Sequence, residues 1–315
     1  MSITTTSTLP APVQESFNQK ILATPTPNKI HNIPAMAERM PANGGRFIKF
    51  RRYTALQAAT VPLGNSGVTP PSQNLTAQDF DAEIQFYGTW VAINEQVTLQ
   101  AQDRPLNQAA IRLGEALRLT EDELTRNMLQ STATVVLATG GNNGDIPTNL
   151  AASDVSRVTR TLLSNDGYMF LSTIAGEDRY GTAPVRNAYF ALCHTDLTQE
   201  FENIPEFKSQ SEYANQQRVL ESEWGSIRNL RILVSSIGSI ANARSMRGAN
   251  IYNMFCVAKE AYGYIEQDRY SAQFIYRPAI YSDPLAQNVT AGFKMACAVR
   301  ILNDSWIYNI QSTLS

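Results

Sequence analysis

The stretch that decides the architecture is GGRFIKFRRYTAL, residues 44–56, read with its return, DFDAEIQFYGTWVAINEQV, residues 79–97. Residues 46–53 and 79–86 alternate with a period of two, the pattern of half-buried strands. Ile48 and Phe50 share one face, and Lys49 and Arg51 the other. On the return, Phe80, Ala82, Ile84 and Phe86 alternate with Asp81, Glu83 and Gln85. An antiparallel register with Lys49 opposite Glu83 and Arg51 opposite Asp81 also sets Ile48 opposite Ile84 and Phe50 opposite Ala82. Each such pair is worth about 0.2–1 kcal/mol.

Between these strands runs TALQAATVPLGNSGVTPPSQNLTA, residues 54–77, with turn residues at Gly64, Gly67, Pro70 and Pro71 and no charged residue. A connection of this length without helix signal is uncommon inside a compact domain unless a partner or a function holds it. Its lack of charge points to docking on another protein surface, with Val61, Leu63 and Val68 near its tip. Lys49, Arg51 and Arg52 would meet phosphate well in isolation. The acidic strand beside them, with Asp81 and Glu83, favours an ion-pair role within or between subunits instead.

RPLNQAAIRLGEALRLTEDELTRNMLQST, residues 104–132, follows as an amphipathic helix opened by Asp103 and Pro105. Leu106, Ala110, Leu113, Leu117, Leu124 and Met128 form its apolar stripe. Arg112, Glu115, Arg118, Glu121 and Asp122 read as its solvated face. Thr120 with Glu123 has the spacing of a capping box, which marks a kink or a second helix start.

Residues 1–43 form a Ser/Thr/Pro-rich arm with prolines at 10, 12, 25, 27, 34 and 41. Proline removes donors and fixes φ, so this arm is expected to make neither regular sheet nor a long helix. Residues 13–22 have the pattern of a short amphipathic turn. If the arm is held in place, a neighbouring subunit is the natural holder. Beyond residue 150 the pattern becomes mixed: AASDVSRVTRTLLSND reads as a helix with Ser153 or Asp154 near its cap. NAYFALC, LRILVSS and IYNMFCVA read as buried strands, and GFKMACAVRIL as a long half-buried one.

A chain of 315 residues buries a good core and has room for two compact parts. A net charge of −2 argues against a protein that tightly coats nucleic acid, because phosphate neutralisation supplies most non-specific affinity. Charged residues make up 17%, below the roughly 25% of ordinary soluble domains, which fits a surface largely covered by partners. Cys193, Cys256 and Cys297 lie in apolar runs, as free buried thiols do, and fit a reducing compartment. No signal peptide or membrane span is read, so the expectation is a protein made in a cytoplasm.

The chain shows no constellation for chemistry. Its two histidines are His31, in the arm, and His194, next to Cys193. Neighbouring strand residues point to opposite faces, so Cys193 and His194 make no dyad and His194 reads as structural. No metal-ligand spacing, phosphate-binding glycine loop or nucleophile elbow occurs. The reading calls for no catalytic residue, cofactor or metal ion. Trp90, Trp224 and Trp306 read as core or interface anchors.

The order of a Pro-rich arm, G-x-x-x-K-F-R-R-Y at residues 45–53, a long loop, QFYG at 85–88 and a long helix resembles the tailed-bacteriophage major capsid proteins. The ending, DPLAQNVTAGFKMACAVRILNDSWIYNIQST, is similar to the C-terminal strand and tail of their podovirus-type branch. The resemblance implies an α+β Johnson-type capsid fold. Its parts would be an N-terminal arm (1–45), an extended loop hairpin (46–98), a peripheral domain with a spine helix (99–150), an axial domain (151–285) and a return to the peripheral domain (286–315). It further implies self-assembly through pentamers and hexamers into an icosahedral shell around double-stranded DNA. The partners so implied are a separate scaffolding protein, a portal and a decoration protein. Intersubunit contacts are expected at Lys49, Arg51, Arg52, Val61, Leu63, Val68, Asp81 and Glu83. Some relatives crosslink through a loop lysine; residues 53–86 contain none, so a noncovalent shell is expected. The alternatives are an encapsulin-like or other virion shell component, or a hydrolase with dispersed carboxylates.

Overall fold

The structure is a computed structural model that describes residues 26–41, 44–63, 69, 71–94, 97, 105–131, 134–138, 147–171, 186–213, 220–241, 250–268, 270, 272–278 and 287–314. Within them two sheets share a core. The first is five-stranded and is built around β13 (Asn288–Ile301). Along one edge of β13 lies β4 (Gln85–Asn94), antiparallel over ten residues from Gln85 opposite Cys297 to Asn94 opposite Asn288. Along the other lie β11 (Tyr262–Gln267) and β12 (Gln273–Arg277), end to end, with β1 (Met36–Met40) outside β11.

The alternation in GFKMACAVRIL is real, but both faces of the strand are covered at its middle. Met295 and Cys297 face one core cluster, and Ala296 and Ala298 face another. The expectation of a half-buried strand fails over Met295–Ala298 and holds elsewhere only in part, Asn288, Lys294 and Arg300 being exposed.

The second sheet has seven strands in the order β5 (Val135–Leu137), β14 (Ile307–Ser312), β10 (Tyr252–Val257), β6 (Tyr189–His194), β9 (Leu230–Ser235), β8 (Glu223–Ile227), β7 (Phe207–Ser209). Its central strands are buried on both faces, as near-continuous apolar runs require. The helix α2 (Ala152–Ser164) covers one face with Val155, Val158 and Leu162. Asp154 accepts from the Ala151 N–H at 3.2 Å in its first turn. The opposite face, with Phe190, Leu192, Leu233 and Phe255, meets Tyr262, Met295 and Cys297 of the first sheet in a joint core. Residues 288–312 contribute to both sheets, through β13 and then, after a short 3₁₀ turn, through β14.

The long helix α1 (Pro105–Gln130) lies on the first sheet. Leu106, Leu113 and Leu117 pack on Ala291 and Phe293, while Leu124, Met128 and Leu129 enter the joint core. It runs without a second start at residue 120. The Thr120 hydroxyl donates to the Ala116 carbonyl at 2.7 Å, a bond one turn back that an interior helical threonine can make.

Three expectations are corrected around this helix. Glu121 and Asp122 are buried, because the face they occupy is turned towards the arm. The described part of the arm, residues 26–41, is held by its own chain. The main-chain N–H of His31 donates to Asp122 Oδ1 at 2.8 Å and His31 Nδ1 lies 2.7 Å from Oδ2, both residues wholly buried. Thr125 donates to the Asn32 side chain at 2.5 Å, and the Tyr262 hydroxyl donates to the His31 carbonyl. The arm also makes sheet: Met36–Met40 pairs in parallel with β11 from Met36–Gly263 to Met40–Gln267. Pro34 and Pro41 flank this strand rather than interrupt it, and it lies at the sheet edge, where proline is tolerated nearby. Residues 13–22 lie outside the described residues.

Candidate assembly interface

The return segment is two strands, not one. Strand β2 (Phe47–Tyr53) pairs with β3 (Ala77–Glu83) in a separate two-stranded sheet, and the chain breaks direction at Ile84 before β4 begins. The register differs from the expected one by two residues. Lys49 faces Asp81, Arg51 faces Asp79, Ile48 faces Ala82 and Phe50 faces Phe80. A two-residue slip leaves every side chain on its expected face, so alternation alone does not select between the two. The base selects: the Ile84 N–H donates to the Arg46 carbonyl at 3.0 Å, which sets Phe47 opposite Glu83. Ile48 and Phe50 then reach a cluster of Met40, Ala82, Ile84, Ile265, Ala296 and Ala298 on the outer face of the first sheet.

The charged face is paired within the chain. Arg51 grips Asp79 with two bonds, Nε to Oδ1 at 2.8 Å and Nη2 to Oδ2 at 3.0 Å. Lys49 lies 3.9 Å from Asp81, and Arg46 pairs with Glu83. The Arg51 side-chain bond lowers the Asp79 carboxyl below its ordinary range and raises the guanidinium further. Arg52 donates to Gln78 at 2.9 Å and stands 5.2 Å above the Phe80 ring. Asp79, Arg46 and Phe80 therefore complete a set of which the sequence reading named only the other half. The slip of register concealed them, although Asp79 and Phe80 lay within the alternating run.

Beyond β2 and β3 the two legs continue side by side. Thr54 and Thr76 bond through both main chain and hydroxyls, the N–H to carbonyl distance being 2.9 Å. The Gln57 N–H donates to the Gln73 side chain at 2.8 Å, and Gln73 returns a bond to the Gln57 carbonyl at 2.9 Å. Residues 53–63 are exposed throughout, Val61 and Leu63 by 80% and 76%. Val68 lies outside the described residues.

Groups with chemical potential are shielded. Burial pushes Cys256 and Cys297 up to about 12 and Cys193 well above its usual value, so these thiols stay protonated at neutral pH. His194 accepts from the Asp196 N–H at 3.1 Å and caps a 3₁₀ turn. His31 and Asp122 form the one buried histidine–carboxylate pair among the described residues, sealed from solvent and without a hydroxyl or thiol nucleophile bonded to the ring. Among the described residues no group of three or more His, Cys, Asp or Glu could hold a metal ion. No described helix is long and apolar enough to cross a membrane. A cleft of about 550 Å3 between the arm base, α1 and residues 220–222 is lined by Lys29, Arg112, Glu115 and Arg118. Lys29 is engaged by Glu121 at 3.5 Å and Arg112 by Glu115 at 2.7 Å.

No family model and no curated protein matches the sequence. Solved structures do match. The capsid of Ralstonia phage GP4 aligns with a TM-score of 0.69 at 11% identity, over 96% of this chain and 96% of that one. The head structure of Helicobacter pylori bacteriophage KHP40 gives 0.66 at 10% identity, over 100% and 98%. The capsid of cyanophage P-SCSP1u gives 0.65 at 12%, over 96% and 93%. The chain thus has the fold of tailed-phage capsid proteins, the α+β Johnson-type architecture that the order of its segments implied.

Proposed function

We propose that this chain is the major capsid subunit of a tailed phage. It assembles through pentamers and hexamers into an icosahedral shell that encloses double-stranded DNA. The observation that carries this reading is the likeness in fold to phage capsid structures over nearly the whole length of both chains. The exposed, uncharged loop supports it, because a lone subunit gains nothing from extending apolar residues into water.

In this reading the five-stranded sheet with α1 is the peripheral part and the seven-stranded sheet the axial part, which takes β11 and β12 out of the expected axial span 151–285 and brings β5 and β14 into the axial part. Lys49, Arg51, Arg52, Asp81 and Glu83 stiffen the loop hairpin by pairing within it and present their remaining donors and acceptors to neighbours. Val61, Leu63 and Val68 supply the apolar contact, each buried Å2 contributing about 25 cal/mol. The shell is noncovalent, and it calls for a scaffolding protein, a portal and packaged DNA held by sparse, non-specific contact. A decoration protein would sit on the outside of the finished virion.

Electron microscopy with sedimentation, on the protein expressed with and without its neighbouring phage genes, tests the reading. Closed shells or capsomer rings are expected, and on a denaturing gel they should run as single subunits without covalent ladders. A stable monomer under both conditions sinks the proposal.

A further inference from the structure

The chain has two histidines, and while His31 is sealed, His194 reaches solvent with a side chain 12% exposed. His194 closes β6, and the 3₁₀ turn Thr195–Leu197 starts from it. Its tautomer follows from its partner. The Asp196 main-chain N–H lies 3.1 Å from Nδ1, and a main-chain N–H can only donate. Nδ1 is therefore an unprotonated acceptor, and the ring proton of the neutral form sits on Nε2.

A second acceptor stands beside the same nitrogen. Asp196 Oδ2 is 3.3 Å from Nδ1 and already accepts from the Tyr252 hydroxyl at 2.8 Å. Burial first, and Asp196 after it, push the ionisation of Tyr252 up, so this hydroxyl remains a donor. The titratable groups that face the ring are thus Asp196, from the turn, and Tyr252, from β10, whose ring centroid is 5.5 Å away. Strand β9 sets Ser235 in register with His194. Residues 235–240 hold only serine, isoleucine and glycine, none of which titrates.

The main chain at His194 has no room to move. Gly238 packs on it so closely that a Cβ there would stand 2.5 Å from the His194 Cα. Beyond the turn, Leu197 and Phe201 are wholly buried in the core that α2 covers, and they seat the short helix Thr198–Glu202. Between these two fixed points only Thr195 and Asp196 can re-aim.

We propose that His194 sets this turn in one of two arrangements according to pH. In the neutral form Nδ1 accepts the Asp196 N–H. A proton taken from solvent onto Nδ1 removes that lone pair. The Asp196 N–H is then released to water, and Nδ1–H donates to Asp196 Oδ2 in a charge-assisted bond. An exchange of bonds, unlike the loss of one, leaves both forms folded. The switch lies within one subunit, so it stands or falls apart from the shell reading.

The test is NMR on the unassembled, isotope-labelled full chain, in which two histidines make the ring signals simple to assign. At about pH 7.5 the His194 Nδ1 should be unprotonated, and at about pH 5.5 both ring nitrogens should carry protons. Across this range the exchange protection of the Asp196 amide, corrected for the intrinsic rate, should fall at least about fivefold. The Leu192 amide, in a strand paired on both sides, should stay protected. His194→Asn keeps a side-chain acceptor that can cap and does not titrate, so its Asp196 amide should stay protected throughout. A proton on Nδ1 at the higher pH, a ring that stays neutral at the lower one, or an Asp196 amide indifferent to the titration overturns the inference. So does an equal fall in His194→Asn; should that variant fail to fold, the readings on the unaltered chain decide.

Discussion

Residues 26–40 and residues 53–63 both contain proline, carry little helix signal and read as segments made for a neighbour. The first is locked into its own subunit. Asp122 receives two main-chain N–H groups and the His31 ring, and Met36–Met40 completes a sheet. Among the described residues, the second bonds to its own returning leg. What separates them is polar chemistry. The arm base offers a histidine and an asparagine that a buried carboxylate and a threonine can satisfy, whereas the loop offers apolar side chains and amides that its own subunit leaves exposed. An anchored segment gives rigidity to the subunit; an unanchored one leaves its apolar surface open.

The largest expected effect comes from breaking the anchor. Asp122→Ala strips a wholly buried histidine and two N–H groups of their acceptor, and should cost about 3–5 kcal/mol in urea unfolding. A loss under 1 kcal/mol would show the arm to be loosely held. Phe50→Ala tests where the hairpin is seated. The ring is only half-buried against the outer sheet face, so about 1 kcal/mol is expected, well below a full core deletion.

The two regions should also respond to pH with opposite sign. Burial raises the Glu121 carboxyl above 4.5, with Lys29 partly offsetting it. Between 4.5 and that raised value the native state holds more proton than the unfolded chain, so stability falls as pH rises through this window. Glu121→Gln should flatten that fall. Asp79, whose carboxyl is lowered from 3.8 by Arg51, contributes stability above 3.8 that is lost as pH drops through its folded value. Asp79→Asn should remove this smaller, solvent-screened contribution. Titrating urea midpoints of the variants separates the two, and slopes of the same sign would contradict the comparison. The smallest effect on the isolated subunit belongs to Val61→Asp with Leu63→Asp. Their exposure predicts a stability change within about 0.5 kcal/mol, together with loss of particles in sedimentation.

Local pattern carried much of this fold. The leucine steps of α1, the alternation of β13 and the apolar runs of β6, β9 and β10 all describe neighbours a few residues apart, and the structure has them as helix and strands. The hairpin was legible in its faces and not in its register, because period two cannot distinguish a slip of two. The arm strand was illegible: its partner, β11, lies over 200 residues away, and a five-residue run between two prolines has no signal of its own. Glu121 and Asp122 misled for a related reason. Charge on a helix normally marks the wet side; here the ligand that justifies burial, His31, is 91 residues distant. Of the proposed interface, the charged strand and the apolar tip were named from sequence. The exposure of residues 88–92 in β4 was not, since it depends on what packs beside the strand.

The path of residues 288–312 bears on the order of events during synthesis. β13 holds β4, β11 and β12 together, and β14 fills the gap between β10 and β5. A ribosome that has translated as far as Arg277 has made the loop, the helix and ten other strands, but both sheets still lack an interior member. The nascent subunit therefore completes neither sheet until translation is nearly done.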